Sequence, residues 1–308
     1  MKLHELRGVL PALVTPMTRD GAVDEPGIQR VVEHTLAGGV HGLLALGSTG
    51  EVASLDQAAR HQVLSAVVKA AAGRVPVLCG VVQSRLANSI ADVIAAAELG
   101  ADAVLVAPPY YYPIDQATVL SFYRAVAAKS SLPVLVYNIP QNTKVVADPA
   151  TVATLAREGA VMGIKDSSRD FEYFESVCVA TRDLPDFRIF TGSDTMLLPS
   201  LVMGGAGTIC GGANIAPAWV VRIFDDFERG DWDAARPHQD LLLELIQAVR
   251  PGVFPSAIKA ALHLQGLCGP WLAPPVAPLG DAPLEVLRRQ LEGWGLLTEA
   301  SRVHARPQ

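Results

Sequence analysis

Ala101-Asp102-Ala103-Val104-Leu105-Val106-Ala107-Pro108-Pro109 is apolar almost without a break. A strand with one wet face alternates apolar and polar residues, whereas a strand covered on both faces does not. The run therefore reads as a strand buried on both sides. Seven others share its character: Gly8–Met17, Gly42–Ser48, Val75–Val82, Leu132–Pro140, Val161–Ser168, Phe187–Asp194 and Gly207–Ala216. They follow one another about 20 to 35 residues apart, room enough for a helix between each pair. Leu55–Ala72, Asn88–Leu99, Gln116–Ala128, Asp148–Arg157 and Asp170–Ala180 carry apolar residues at helical spacing. Ser54 with Gln57 three residues on reads as a capping box for the first of these.

Eight β-then-α units in succession predict an α/β chain closed into a (β/α)₈ TIM barrel. An open doubly wound sheet would use fewer strands, and the first turn lacks GxGxxG. After the eighth run, Asp231–Val249, Phe254–Leu267 and Leu284–Trp294 read as three more helices. Pro251, Pro270 and Pro274-Pro275 punctuate them. The chain thus divides into a barrel, 1–224, and a C-terminal helical extension, 225–308, docked on the barrel and available for oligomer contacts.

Of the 308 residues, 50% are hydrophobic, enough to build a sizeable core. A net charge of −6, with no block of five like charges, offers no electrostatic footprint for nucleic acid. Cys79, Cys178, Cys210 and Cys268 are far apart and form no CxxC, so all four read as reduced core residues of a cytoplasmic protein. Met1-Lys2-Leu3-His4-Glu5 is charged where a leader would be apolar, and no segment offers 18 uninterrupted apolar residues. Neither secretion nor a membrane span is expected.

Chemistry in such barrels sits at the C-terminal ends of the strands. The polar residues there are Gly47-Ser48-Thr49-Gly50-Glu51, Tyr110-Tyr111-Tyr112, Tyr137-Asn138-Ile139-Pro140, Lys165-Asp166-Ser167-Ser168, Thr191-Gly192-Ser193-Asp194 and Asn214. Lys165 stands out among six lysines as the only one inside a strand run. Burial disfavours its charge and favours the free amine that a carbinolamine-forming nucleophile needs. The competing reading is a buried ion pair with Asp166, which the opposite facing of adjacent strand residues makes awkward. Tyr137, on the neighbouring strand, is placed to move protons, or else is a core tyrosine with a satisfied hydroxyl. Ser48 and Thr49 suit a carboxylate, although ordinary turn chemistry explains them equally well. Gly204-Gly205-Ala206-Gly207 makes a poor phosphate cradle, since no GK[ST] accompanies it. A metal-dependent lyase would need His and carboxylate ligands at the strand ends. None of His4, His34, His41, His61, His238, His263 and His304 falls there. A barrel that binds ligand without catalysis is disfavoured by Lys165 and Tyr137 together.

In this order and spacing, Leu13-Val14-Thr15-Pro16-Met17, Gly47–Glu51, Tyr137–Pro140, Gly163–Asp166 and the glycine-rich eighth run resemble the dihydrodipicolinate synthase/N-acetylneuraminate lyase family of class I aldolases. The resemblance spans the whole barrel and is specific for the family, not for one member. It implies that Lys165 forms a Schiff base with a 2-oxo acid and that Tyr137 relays protons. It implies that Ser48 links Tyr137 to a Tyr111 reaching in from a neighbouring subunit. Thr49 and its backbone would hold the pyruvate-type carboxylate, and Gly192 and Ile209 would line the pocket. The partners implied are a small-molecule 2-oxo acid and an aldehyde, in a homotetramer built as a dimer of dimers, with no metal or organic cofactor.

Two further positions bear on substrate. Lysine-pathway synthases of the family place an arginine where this chain has Asn142, and losing that guanidinium removes a bidentate carboxylate clamp. N-acetylneuraminate lyases carry a glutamate after the strand-7 aspartate, whereas Asp194 here precedes Thr195. Pro140-Gln141-Asn142-Thr143 is more similar to 4-hydroxy-2-oxo acid or sugar-acid aldolases. The expected function is such an aldolase. The alternative is 4-hydroxy-tetrahydrodipicolinate synthase (pyruvate plus aspartate semialdehyde). N-acetylneuraminate lyase and 2-keto-3-deoxy sugar acid dehydratase follow. Feedback-regulated synthases bind lysine through an acidic residue that aligns with Asn88, so no lysine inhibition is expected.

Overall fold

The computed structural model describes residues 6–297. The leader reading of Met1–Glu5, and His4 and His304, fall outside that range. Each apolar run holds one strand: β1 (Gly8–Pro11), β2 (Leu43–Ala45), β3 (Val77–Val81), β4 (Ala103–Val106), β5 (Val134–Asn138), β6 (Gly163–Asp166), β7 (Arg188–Thr191) and β8 (Gly207–Cys210). Every ladder is parallel, in the order β1-β8-β7-β6-β5-β4-β3-β2. The last seam, β1 to β2, is joined by a bridge between Ala12 and Leu44, with Leu13 N–H donating to the Leu44 carbonyl at 2.9 Å. The sheet is a nearly closed barrel.

The missing alternation in the sequence has a direct cause. In β5, Leu135 and Tyr137 point into an inner cluster with Leu10, Leu44, Leu105, Phe190 and Ile209. Val134 and Val136 point out into a second cluster shared with the surrounding helices. Both faces of the pleat are dry, so both sets of alternating positions are apolar.

One helix follows each strand: Glu25–Ala37, Gln57–Ala71, Leu86–Glu98, Gln116–Ala127, Pro149–Arg157, Phe171–Ala180, Leu197–Val202 and Pro217–Glu228. Asp24, Asp56, Asp115 and Asp170 each accept from a backbone N–H in the first turn of the helix they precede. They satisfy donors that have no partner within the helix. The capping box read at Ser54 and Gln57 does not form. Asp56 caps that helix through Ala59 N–H at 2.8 Å, while Ser54 closes a tight turn, Val52–Ser54. A carboxylate adjacent to the helix is better placed for the free N–H groups than a hydroxyl two residues further out.

Trp232–Ala248, Ser256–Leu264 and Asp281–Gly293 form the extension, and the first of them packs on Pro217–Glu228. The barrel's eighth helix runs through residue 224, so a division there falls inside a continuous helix. The middle helix begins at Ser256 rather than Phe254. Pro255 disfavours helical geometry in the residue before it, and Phe254 is left at the barrel mouth, 59% exposed. No helix among the described residues is long and apolar enough to cross a membrane. The four cysteines are unpaired, and burial pushes the Cys79 and Cys268 thiols up to about 12, which keeps them protonated.

Candidate active site

The register of the barrel assembles the site. Tyr137 of β5 stands beside Lys165 of β6, which stands beside Phe190 of β7, and all three side chains face inward. Lys165 is 4% exposed, and its Nζ lies 4.6 Å from the centre of the Tyr137 ring. Among the described residues no carboxylate pairs with it. Asp166 points the other way. It accepts from Asn138 Nδ2 at 2.8 Å, from Ser168 N–H at 3.1 Å and from Ser168 Oγ at 2.9 Å. Burial raises the Asp166 carboxyl above its ordinary range, against the downward pull of those bonds. The ion pair weighed against a nucleophilic Lys165 therefore does not form.

Tyr137 is 2% exposed, and its hydroxyl meets Ser48 Oγ at 3.1 Å. Ser48 sits in a turn bounded by two left-handed residues, Leu46 and Glu51, both at φ 59°. Gly80 of β3 lets that turn lie close, since a Cβ there would collide with the Leu46 carbonyl. Thr15 Oγ1 donates to the Gly50 carbonyl at 2.7 Å and fixes the other side of the turn. Thr49 is buried beneath it. The backbone N–H groups of Ser48 and Thr49 donate to no acceptor among the described residues, so they remain available to an anion.

Gly192 follows β7, and a Cβ at that position would stand 2.9 Å from Lys165 Cε and collide with Ser167 Oγ. Only glycine leaves the lysine its path. Ile209 of β8 is fully buried in the inner cluster.

Asn142 is exposed on the short helical turn Pro140–Thr143, where it lines a cavity of about 270 Å³ that Ser48 also borders. Asp194 does not border that cavity. Its Oδ1 accepts from Gly212 N–H at 2.8 Å, and its carbonyl accepts from Gln239 Nε2 at 3.0 Å, tying the β7 loop to the β8 loop and to the extension. Burial pushes the Asp194 carboxyl up, and the Gly212 bond, the Cys210 thiol and the charge of Lys165 pull it back. Tyr111 stands apart from the others in the single chain. It is 76% exposed at φ 83°, its ring edge-on to Tyr112 with centres 4.9 Å apart.

Sequence reasoning missed what the extension brings to the mouth. Lys259, fully buried, places Nζ 2.5 Å from Glu51 Oε1 and donates to the Trp271 carbonyl at 2.6 Å. The other Glu51 oxygen accepts from Ala273 N–H at 2.8 Å. The loop that carries Ser48 and Thr49 is thus bolted to the C-terminal helices. Phe254, Leu272 and Val276 line the cavity from the same side. The available signals were a lone cation in the apolar run Ser256–Leu264 and a lone acid closing the Gly47–Glu51 turn. Among the described residues no three His, Cys, Asp or Glu side chains are grouped to hold a metal ion.

Comparison with known proteins agrees with this arrangement. Residues 5–293 match the model of the dihydrodipicolinate synthetase family. An uncharacterized DapA-like lyase of Halobacterium salinarum is 35% identical over 292 residues, covering 95% of each chain. The 4-hydroxy-tetrahydrodipicolinate synthase of Methanopyrus kandleri is 34% identical over 297 residues, covering 96% of this chain and 98% of that one. A solved prophage protein of the dihydrodipicolinic acid synthase family from E. coli K12, in complex with pyruvate, superposes with a TM-score of 0.90 at 30% identity. It covers 94% of this chain and 99% of its own. An inward, unpaired lysine beside a tyrosine, on a barrel matched from end to end by a lyase family of class I aldolase mechanism, admits one conclusion: the chain belongs to the dihydrodipicolinate synthetase family and is a lyase.

Proposed function

We propose that the chain is a Schiff-base aldolase that holds pyruvate or a longer 2-oxo acid on Lys165 and makes or breaks its C3–C4 bond, as a 4-hydroxy-2-oxo acid or sugar-acid aldolase does. The observation that carries this is Lys165 itself: buried, in no ion pair among the described residues, and packed against the ring of a tyrosine whose hydroxyl meets Ser48.

The steps follow from that geometry. The Lys165 amine adds to the C2 carbonyl, Tyr137 returns a proton to the departing hydroxyl, and water leaves. The protonated imine draws electrons from C3, either from a C–H bond, giving an enamine ready for an aldehyde, or from C3–C4 as an aldehyde departs. In cleavage Tyr137 takes the C4 hydroxyl proton and a proton is returned to C3 of the enamine, while in condensation aldehyde addition restores the imine directly; water then hydrolyses the imine and frees the amine. Tyr137 exchanges the protons with Ser48 behind it. Thr49 and the free N–H groups of its turn hold the C1 carboxylate. Ile209 and Gly192 shape the floor, and Asp194 fixes the neighbouring loops. The scheme asks for no metal or organic cofactor. Exposed Tyr111, held in a left-handed conformation, fits a contact with a second subunit and so a homotetramer.

The name of the Methanopyrus relative favours a second reading, 4-hydroxy-tetrahydrodipicolinate synthase, acting on pyruvate and aspartate semialdehyde. Asn142 at the cavity wall speaks for the first, because an amide gives a second carboxylate no bidentate cation. Borohydride reduction in the presence of pyruvate, followed by peptide mass analysis, tests the proposal. The expected result is a reduced pyruvate adduct on Lys165. Its absence, or full activity in Lys165→Ala, would overturn the scheme. A coupled assay with aspartate semialdehyde tests the second reading.

A further inference from the structure

The cavity beside Ser48 has a chemical character of its own. Ser48 both borders it and meets the Tyr137 hydroxyl, and Ile139, two residues beyond Tyr137, forms part of its wall. It therefore adjoins the proposed chemistry through Ser48 and Ile139. Val52, Val82, Phe254, Leu272 and Val276 are among its lining residues.

Among the described residues no lysine, arginine or histidine lines it. Glu51 is the only acid among the described residues that line it, and its charge is already met by Lys259. Lys259 in turn is committed to Glu51 and to the Trp271 carbonyl. The Thr143 hydroxyl is spent on the carbonyls of Ile139 and Val145. That leaves the exposed amide of Asn142 and a few hydroxyls. A carboxylate entering this space would lose water and gain no cation. An apolar body would replace water against apolar side chains.

We infer that the aldehyde half of the substrate is uncharged and carries an apolar body, an aryl or branched alkyl group, seated against Val82 and Phe254. This rests on the aldolase reading above and adds the identity of the group beyond C4.

The test uses the full-length enzyme at saturating pyruvate with four aldehydes. Benzaldehyde and 4-formylbenzoate share a ring and differ by one carboxylate. Glyoxylate is small and charged, and glyceraldehyde is small, neutral and hydroxylated. Benzaldehyde is expected to give a kcat/KM at least about tenfold above each of the others, the scale on which pockets of this kind discriminate. Asn142→Arg should narrow the gap by raising 4-formylbenzoate. Phe254→Ala should lower benzaldehyde while leaving the borohydride-trapped pyruvate adduct intact. Equal or better use of 4-formylbenzoate or glyoxylate by the unmodified enzyme overturns the inference, as does a preference for glyceraldehyde. So does a pyruvate adduct with no aldehyde turned over, or a preference that neither substitution changes. Absence of the adduct would overturn the aldolase reading itself, and the two failures are told apart by the trapping step alone.

Discussion

Strand β6 and the helix Ser256–Leu264 each bury one lysine, and the two lysines live in opposite electrostatic surroundings. Lys165 enters the barrel with an aromatic ring beside it and no ion pair among the described residues, and the Asp194 carboxyl feels its charge only from beyond ion-pair distance. Lys259 enters the extension with Glu51 at 2.5 Å and a carbonyl at 2.6 Å. Burial pulls the Lys259 ammonium below its ordinary range, and Glu51 pulls it back up. Burial alone therefore does not make a nucleophile. A lysine locked in an ion pair serves as a bolt, whereas Lys165, held in none among the described residues, fits the nucleophile proposed above.

The widest separation between them is in activity. Lys165→Ala should abolish pyruvate trapping and turnover while leaving the thermal midpoint unchanged or raised, because it removes an unmatched polar group from the barrel interior. Trapping assays beside a melting curve check both halves. A variant that loses activity only because it unfolds would remove the contrast. Tyr137→Phe comes next. It keeps the ring beside Lys165 and deletes the hydroxyl that meets Ser48, so turnover should fall about 10²- to 10⁴-fold with little change in stability. Single-turnover kinetics should place the loss in the proton-transfer steps.

Lys259→Met should show the reverse profile. Glu51 would be left buried without its cation, and breaking such a pair costs roughly 3–5 kcal/mol. Denaturant midpoints measure that loss. Adding Glu51→Gln should recover part of it, since the stranded charge is then gone. Lys165 in the single variant should still be trapped by pyruvate. If Lys259→Met cost nothing in stability, the bolt would have no mechanical meaning.

The two lysines also differ in how well the sequence exposes them. Lys165 is legible because a cation interrupts a run that is apolar on both faces, and because strand alternation puts Asp166 on the far side. The eight runs are legible for the same reason: they lack alternation because inner and outer clusters are both dry. Lys259 sits in an equally apolar run, yet its partner lies at Glu51, far away in the chain, and no local period encodes that pairing. The walls supplied by Phe254, Leu272 and Val276 escape for the same cause. The helices Glu25–Ala37, Leu197–Val202 and Pro217–Glu228 do not stand out by period, and the cap lies at Asp56, two residues beyond Ser54. Tyr111 is a different case. Its place in a motif is readable, but the single chain leaves it exposed, so any role at the site depends on a contact between subunits.

The same contrast holds for the acids, with the smallest effect. Glu51 is buried in contact with a cation, whereas Asp194 is buried against the Gly212 N–H and the Cys210 thiol with the Lys165 charge acting from further off, and burial still raises its carboxyl above the usual range. A raised acid holds its proton in the folded state after the unfolded chain has released it. Between the two values the folded state binds more protons, so stability falls as pH rises through that window. Asp194 thus contributes stability that is full below the ordinary carboxylate range and lost as pH climbs through its folded value. Asp194→Asn keeps an oxygen able to accept from Gly212 and removes the titration. Denaturant midpoints measured across the acidic range should show a shallower decline with pH than in the parent. A slope unchanged by the substitution would mean that the Gly212 bond, the Cys210 thiol and the Lys165 charge together offset burial at Asp194.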